Sequence, residues 1–317
     1  MKMRRNLIVV LMALLVFGAA FSAAAQPKVR FVLKDLDADP NAEAFIALIE
    51  KGMAAAGTPV DLEIIKVPAG NYAEKVGLMI MSGDIPDLIY FQGWSWQPFA
   101  DKDVLAPLDD YIQQDQAKGF WVDNENYIAN TMWQGKTYMS VADTGSVIMF
   151  YAKELFDKAG VPYPVDGWSY ADFQSAVEKT TFKEGDVQYY GYAQAGGWNG
   201  TYLRSLHWMR MNGSLEWDQI VEPKEARWLQ DDIINGLQYT VVDTIARGMC
   251  PSPATIQGGG VTIATGRVAL TMEGPWFLAQ MQGDKPTREG GVPFDVVEPP
   301  LGATATLANT AVDSVPF

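Results

Sequence analysis

The sequence predicts an α/β fold, and three observations carry the prediction. After the first 25 residues, strand-like and helix-like stretches alternate as β-α-β-α-β with short connections, and each helical stretch carries one apolar stripe. Such an alternation implies a parallel sheet with helices on its faces. The length of 317 residues, 48% of them hydrophobic, suffices for one large domain or two of about 150 residues each.

Residues 1–25 read as a secretory signal. Lys2, Arg4 and Arg5 form a basic start, Leu7 to Phe21 is a run of apolar and small residues, and Ala23-Ala24-Ala25 offers a small-x-small cleavage pattern. No later stretch supplies the ~20 continuous apolar residues of a membrane span, and no Cys stands near the cleavage site to take a lipid. Cleavage leaves 21 basic against 38 acidic residues, a charge of about −17 from Gln26 onward. The expected product is a freely soluble periplasmic protein.

Val29 to Lys34 is the first strand. Asp39-Pro40 caps a helix whose face carries Phe45, Leu48, Ile49 and Met53, and Gly57 closes it. Val60 to Lys66 is a second strand. Asn71 and Glu74 have capping-box spacing, Val76, Met79 and Ile80 form the next stripe, and Ser82-Gly83 ends that helix. Leu88 to Phe91 is the third strand, after the turn Asp84-Ile85-Pro86-Asp87. Ligands of such sheets bind beyond the carboxyl ends of the strands, which points to the loops 35–39, 68–71 and 92–97.

The middle of the chain changes character. Residues 133–138 predict a tight turn between two strands, Val147 to Tyr151 a strand, and Lys153 to Ala159 a short helix closed by Gly160. Ser169 and Asp172 cap a helix to about Lys179, Tyr189 to Gln194 alternates as a strand, and 196–200 is a glycine-rich loop. Helices follow near Tyr202 to Met211 and Glu225 to Arg247, then a Pro/Gly-rich break at 251–260. Arg267 to Met272 is a strand, Glu273-Gly274-Pro275 a turn, Trp276 opens the final helix, and Phe294 to Val297 is the last strand.

Composition excludes several chemistries. With one His, no site needing two histidines is available, and the single Cys, Cys250, forms no internal disulfide and reads as a small packed residue. His207 is the only base for a Ser-His pair, yet no Ser lies in a G-x-S-x-G context, and a helix-face histidine is the better account. The glycine loops lack phosphate-binding spacing. A pI near 4.5, with no Lys/Arg cluster after the first five residues, argues against nucleic acid and anionic membranes as partners. No cofactor and no metal site is expected. Composition permits a glycosidase-like carboxylate pair, but Asp109-Asp110 and Asp231-Asp232 fall on helical stretches, where a solvated face is the plainer reading.

Tryptophans are the more informative set. Trp94, Trp96, Trp198 and Trp276 fall in loops or at a helix start, whereas Trp208, Trp217 and Trp228 sit in or beside helices. A flat indole matches the apolar face of a pyranose, and carboxylates and amides suit its hydroxyl rim.

The motifs SGDIPDLIYFQG (82–93), VLAPLDDYI (104–112), GKTYMS (135–140), VIMFYAKELFDKAGVPYP (147–164), GWSYADF (167–173) and ATGRVALTMEGPW (264–276), in this order, resemble the family 1 extracellular solute-binding proteins. These are sugar-binding periplasmic components of ABC importers, similar to maltose-binding protein. The resemblance implies a two-lobe α/β fold of the type II periplasmic-binding-protein kind that closes on its ligand and is read by an ABC transporter permease. It divides the chain into the signal (1–25), an N-terminal lobe (26–142) and a hinge crossover with a second lobe (143–317). Position by position, it places Asp37 and Gln92 as hydroxyl partners, Trp94, Trp198 and Trp276 as stacking faces, Asp143 as a hinge-side acceptor, and Trp96 and Glu273 as further contacts. Family members continue well past the strand resembling FDVVEPP (294–300), so a shortened second lobe with exposed apolar surface is expected. Two rival readings stay open: a binder of the same fold for a peptide, polyamine or metal chelate, where the adjacent Tyr189 and Tyr190 suggest iron ligation although neighbours on a strand point to opposite faces, and a secreted carbohydrate-active enzyme with paired carboxylates.

Overall fold

The computed structural model describes residues 26–34, 42–68, 71–91, 93, 95–119, 131–193, 200–220, 222–282, 286–302 and 312–316. The expected signal segment therefore lies outside the described residues. Two compact units emerge, one ending at Phe91 and one running from Gln92 to Pro316. This boundary falls earlier than the expected division after residue 142.

In the first unit, β1 (Lys28–Lys34), α1 (Ala42–Ala55), β2 (Asp61–Val67), α2 (Tyr72–Met81) and β3 (Leu88–Ile89) follow the expected order. The sheet order is β2-β1-β3 and every pairing is parallel, with Phe31 opposite both Ile64 and Leu88. Phe31, Val32, Leu33, Val76 and Phe91 form the core. Tyr72 joins them, donating its hydroxyl to the Val32 carbonyl at 3.2 Å, and burial raises its pKa. Arg30 ties the 84–87 turn to the sheet: its guanidinium donates to Asp84 at 2.6 Å and its backbone N–H to Asp87 at 2.8 Å.

Two local expectations fail here. Asn71 sits in the left-handed region at φ 58° and makes no side-chain cap bond, so the spacing to Glu74 does not produce a capping box. Glu74 still lies in the first turn of α2, where a carboxylate complements the helix dipole. In α1 the inward stripe runs through Ile46, Ile49 and Met53, each half-buried, and Leu48 is 65% exposed. Leu48 lies about 200° around the helix from Ile46, so a seat for one excludes the other. Met81, Ile85 and Leu78 are exposed as well.

The second unit opens with α3 (Gln97–Ala100), α4 (Asp109–Ala117) and a hairpin of β4 (Met132–Trp133) and β5 (Lys136–Thr137), whose turn matches the expectation for 133–138. Next come β6 (Val141–Ser146), β7 (Ile148–Ala152), α5 (Lys153–Ala159), α6 (Tyr170–Lys179), β8 (Phe182–Glu184), β9 (Val187–Ala193) and α7 (Gly200–Arg210). Gly160 ends α5 in the left-handed region, and Ser169 and Asp172 form the expected capping box on α6. α8 (Asp231–Leu237) runs through a π-helical stretch (Gln238–Asp243) into a last helical turn (Thr244–Ala246). The chain continues through α9 (Pro253–Gln257), β10 (Val268–Glu273), α10 (Leu278–Gln282), β11 (Phe294–Val297) and β12 (Val312–Pro316). The sheet order is β11-β7-β10-β9-β8, with β9 and β10 parallel and the other neighbours antiparallel, and β12 pairs with β6.

A continuous helix from 225 to 247 does not form. Ala226 is instead bridged to Trp217, and Asp218 accepts the backbone N–H groups of Lys224 and Glu225, which commits that stretch to a ladder. Aromatic packing dominates the core: Phe173 lies 4.8 Å from Trp208, and Tyr192 stands edge-on to both while its hydroxyl accepts from the Trp208 indole N–H at 3.1 Å. α8 reaches this core only because Gly236 lacks a side chain, since a Cβ there would meet the Trp208 carbonyl oxygen at 1.9 Å. His207 is buried, and Nε2 donates to the Pro300 carbonyl at 2.9 Å. The helix is as expected but the ring faces the core, and burial drives its pKa down to about 4. Cys250 is buried, and its thiol donates to the Pro251 carbonyl at 3.4 Å.

Candidate functional site

β9 and β10 run parallel and end side by side at Ala193 and Glu273, and this carboxyl end carries the concavity of interest. A cavity of about 300 Å³ is lined by Arg204, Thr262, Thr271, Glu273, Trp276 and Gln280 together with Ala193 and flanking apolar residues. Position and lining agree with the rule that open α/β sheets bind ligand beyond their strand ends. A larger depression of about 520 Å³ lies against residues 161–168 and α6, away from these strand ends, and holds none of the predicted site residues.

Each wall follows from local sequence. β10 is buried along its whole length, so Val268 to Met272 anchor the strand and deliver Glu273 to its end. Gly274-Pro275 then turns the chain, with Pro at the start of a 3-10 turn (Pro275–Phe277) that carries Trp276 into α10. Glycine lets the Trp276 indole fold back over the backbone here: a Cβ on Gly274 would lie 2.1 Å from that ring. Phe277 points the other way and is buried against Phe150 at 5.7 Å, edge to face. Thr271 anchors the neighbouring strand by donating to the Ala193 carbonyl at 2.8 Å.

Three side chains interlock at the mouth. Glu273 Oε2 accepts from the Arg204 guanidinium and from the Trp276 indole N–H, the latter at 3.0 Å. The guanidinium carbon also lies 5.4 Å from the Trp276 ring centroid, a cation-π contact. Arg204 and Glu273 are about one-tenth exposed, whereas Trp276 is 42% exposed. The result is an indole held rigidly from behind and open in front. Arg204 Nε is buried and has no hydrogen-bond partner among the described residues.

The predicted site residues divide as follows. Glu273 and Trp276 meet in this cavity. Asp37, Gln92, Trp94 and Trp198 lie outside the described residues. Asp143 sits on β6 opposite Val315 of β12, with its side chain outside the described set. Trp96 has no exposed surface and packs with its ring 6.3 Å from Tyr138, so the structure gives it a core position in place of a stacking face. Sequence reasoning missed Arg204. The available signal was a lone cation within the apolar stretch YLRSLHWM of α7, where a charge needs a counter-charge to be buried.

Both acidic pairs make local hydrogen bonds among the described residues. Asp109 accepts the Thr137 backbone N–H at 3.2 Å, and exposed Asp232 accepts from Ser214 at 2.8 Å. Among the described residues, no group of three or more His, Cys, Asp or Glu side chains is placed to hold a metal ion.

Comparison with known proteins agrees with this architecture. The family model for bacterial extracellular solute-binding proteins matches residues 38–311, and the chain belongs to that family. A Brucella abortus relative, designated only as a binding protein with no ligand stated, is 25% identical over 280 residues, 84% of this chain and 62% of the relative. The chain thus spans less than two thirds of the length of the curated relatives it matches. Among solved structures, a Listeria monocytogenes ABC substrate-binding protein in complex with cycloalternan superposes with a TM-score of 0.72 at 22% identity, covering 92% of this chain and 70% of the other. A Thermotoga lettingae ABC transporter solute-binding protein bound with alpha-D-tagatose gives 0.71 at 18% identity, covering 92% and 71%. The acarbose-binding GacH receptor of Streptomyces glaucescens gives 0.67 at 20%, covering 92% and 71%. The fold is therefore the mixed α/β, two-lobe fold of the periplasmic sugar-binding proteins.

Proposed function

We propose that this chain is the solute-binding component of an ABC importer, capturing a sugar or oligosaccharide and presenting it to a permease without catalysing any reaction. The observation that carries this reading is Trp276, an open indole clasped by Glu273 and Arg204 at the carboxyl end of β9 and β10. An aromatic face beside a carboxylate is the surface a pyranose ring requires: one apolar side to stack and polar atoms at its rim. The saccharides named in the related structures belong to the same ligand class. Asp37, Gln92 and Asp143 are proposed as further hydroxyl partners, and Trp94 and Trp198 as further stacking faces. Export by the 1–25 segment and a periplasmic location complete the proposal.

Thermal-shift screening of the purified protein against neutral sugars, oligosaccharides, polyamines and peptides tests it. A true ligand at 100 times its Kd adds about 2.7 kcal/mol of stability. Stabilisation by saccharides is expected, whereas stabilisation by polyamines or peptides alone sinks the saccharide reading, as does turnover of a glycoside lost on substituting one carboxylate.

A further inference from the structure

We infer that the Arg204–Glu273 pair is a charge filter that restricts this site to uncharged saccharides, an inference that rests on the saccharide reading above. In a chain of formal charge −14, the cavity wall departs from the average: among the described lining residues Arg204 and Glu273 alone are charged, and they are bonded to each other. The described part of the wall is therefore neutral in sum but strongly polarised over a few ångströms.

The polarity has a defined direction. Glu273 commits one oxygen, Oε2, to both Arg204 and Trp276, and Oε1 has no hydrogen-bond partner among the described residues. Arg204 commits Nη2 to that carboxylate and leaves Nε–H buried and unpartnered. The cluster thus offers the Oε1 acceptor and the remaining Nη donors of Arg204 beside a stacking face, and a sugar hydroxyl, able to donate and accept, can satisfy either.

Charged sugars lose on both counts. A uronate carboxylate competes with Glu273 for the guanidinium and meets the Glu273 charge at close range. An amino sugar competes with Arg204 for Glu273 and meets the guanidinium charge. Each can pair with one member of the bond only while the other member, of like charge, stays a few ångströms away, and like-charge juxtaposition in a partly desolvated site discriminates against the wrong partner.

The test is a glycan array of neutral, amine-bearing and carboxylate-bearing oligosaccharides of the glucose, mannose and galactose series, probed with the full chain and three variants. The wild type is expected to bind members of the neutral class. Arg204→Met exposes the Glu273 charge and is expected to move preference toward amine-bearing glycans by about tenfold, while Glu273→Gln frees the guanidinium and moves preference toward carboxylate-bearing glycans by about tenfold. Because breaking one side of a buried pair can unfold the protein, the double variant Arg204→Met/Glu273→Gln keeps the test open: it carries neither charge, and its discrimination against both charged classes is expected to narrow about tenfold. Wild-type binding to neutral glycans with both single variants unmoved, or moved in the same direction, overturns the filter and leaves the saccharide reading standing. A double variant that discriminates against charged glycans as strongly as the wild type overturns it too. A wild type that binds none of the three classes overturns the saccharide reading, and the filter with it.

Discussion

Removing the indole of Trp276 isolates the stacking contribution. Trp276 is 42% exposed, and a large aromatic side chain presents about 150–250 Å², so roughly 100 Å² of indole is free to be covered by ligand. A pyranose stacked on one face covers between half and all of that area, which at 25 cal/mol per Å² is worth about 1–2.5 kcal/mol, or about 5- to 70-fold in Kd. Trp276→Ala should therefore weaken binding of the saccharide found by thermal shift within that range, measured by isothermal titration calorimetry. Intrinsic fluorescence is a poor substitute because 10 tryptophans share the signal. Trp228→Ala is the matched control: that ring is 37% exposed, but it stacks on Tyr202 at 5.7 Å and does not line the cavity. It should leave Kd within about twofold. If Trp276→Ala also leaves Kd within twofold, or if Trp228→Ala weakens binding as much, the indole is packing and the site assignment fails.

Two further predictions follow from the same neighbourhood and from the core. Gly274→Ala places a Cβ 2.1 Å from the Trp276 indole, whose flexible side chain can swing aside, so affinity should fall toward the Trp276→Ala value with little change in Tm; an unchanged Kd would show that the indole need not lie over Gly274. His207 has its pKa lowered to about 4 by burial, against 6.5 when unfolded, so its stabilising effect is complete above pH 6.5 and is lost as pH falls toward 4. The shift corresponds to about 2 kcal/mol lost by pH 5. Wild type should lose that much more than His207→Gln between pH 7.5 and pH 5 in chemical denaturation, and parallel pH profiles would refute it.

Local chemistry was legible in the sequence wherever it was self-contained. The Ser169–Asp172 box, the left-handed Gly160, the parallel β1–β2–β3 unit and the Gly274-Pro275 turn each depend on residues close in sequence or on a strand-helix period, and each formed. Failures share a different cause. Asn71 took a left-handed backbone in place of a cap, Leu48 yielded its seat to Ile46, and Trp96 packed into the core, choices that neighbouring sequence does not settle. The bridge between Trp217 and Ala226 likewise overrode helix propensity before Asp231.

Arg204 and Glu273 show how much of that gap physical reasoning can close. They stand 69 residues apart, and no period or motif links them. Yet each alone violates the same rule: a cation in the midst of the YLRSLHWM stretch and a single carboxylate at the end of an apolar strand are both too costly to bury unpaired. Two isolated violations of opposite sign, on elements that a parallel β9–β10 pairing brings to one sheet end, are most economically resolved by each other. Pairing unexplained buried charges across predicted sheet ends would have assembled the back wall of this site before any coordinates. Trp276, readable from its turn alone, then identifies which side of that wall faces the ligand.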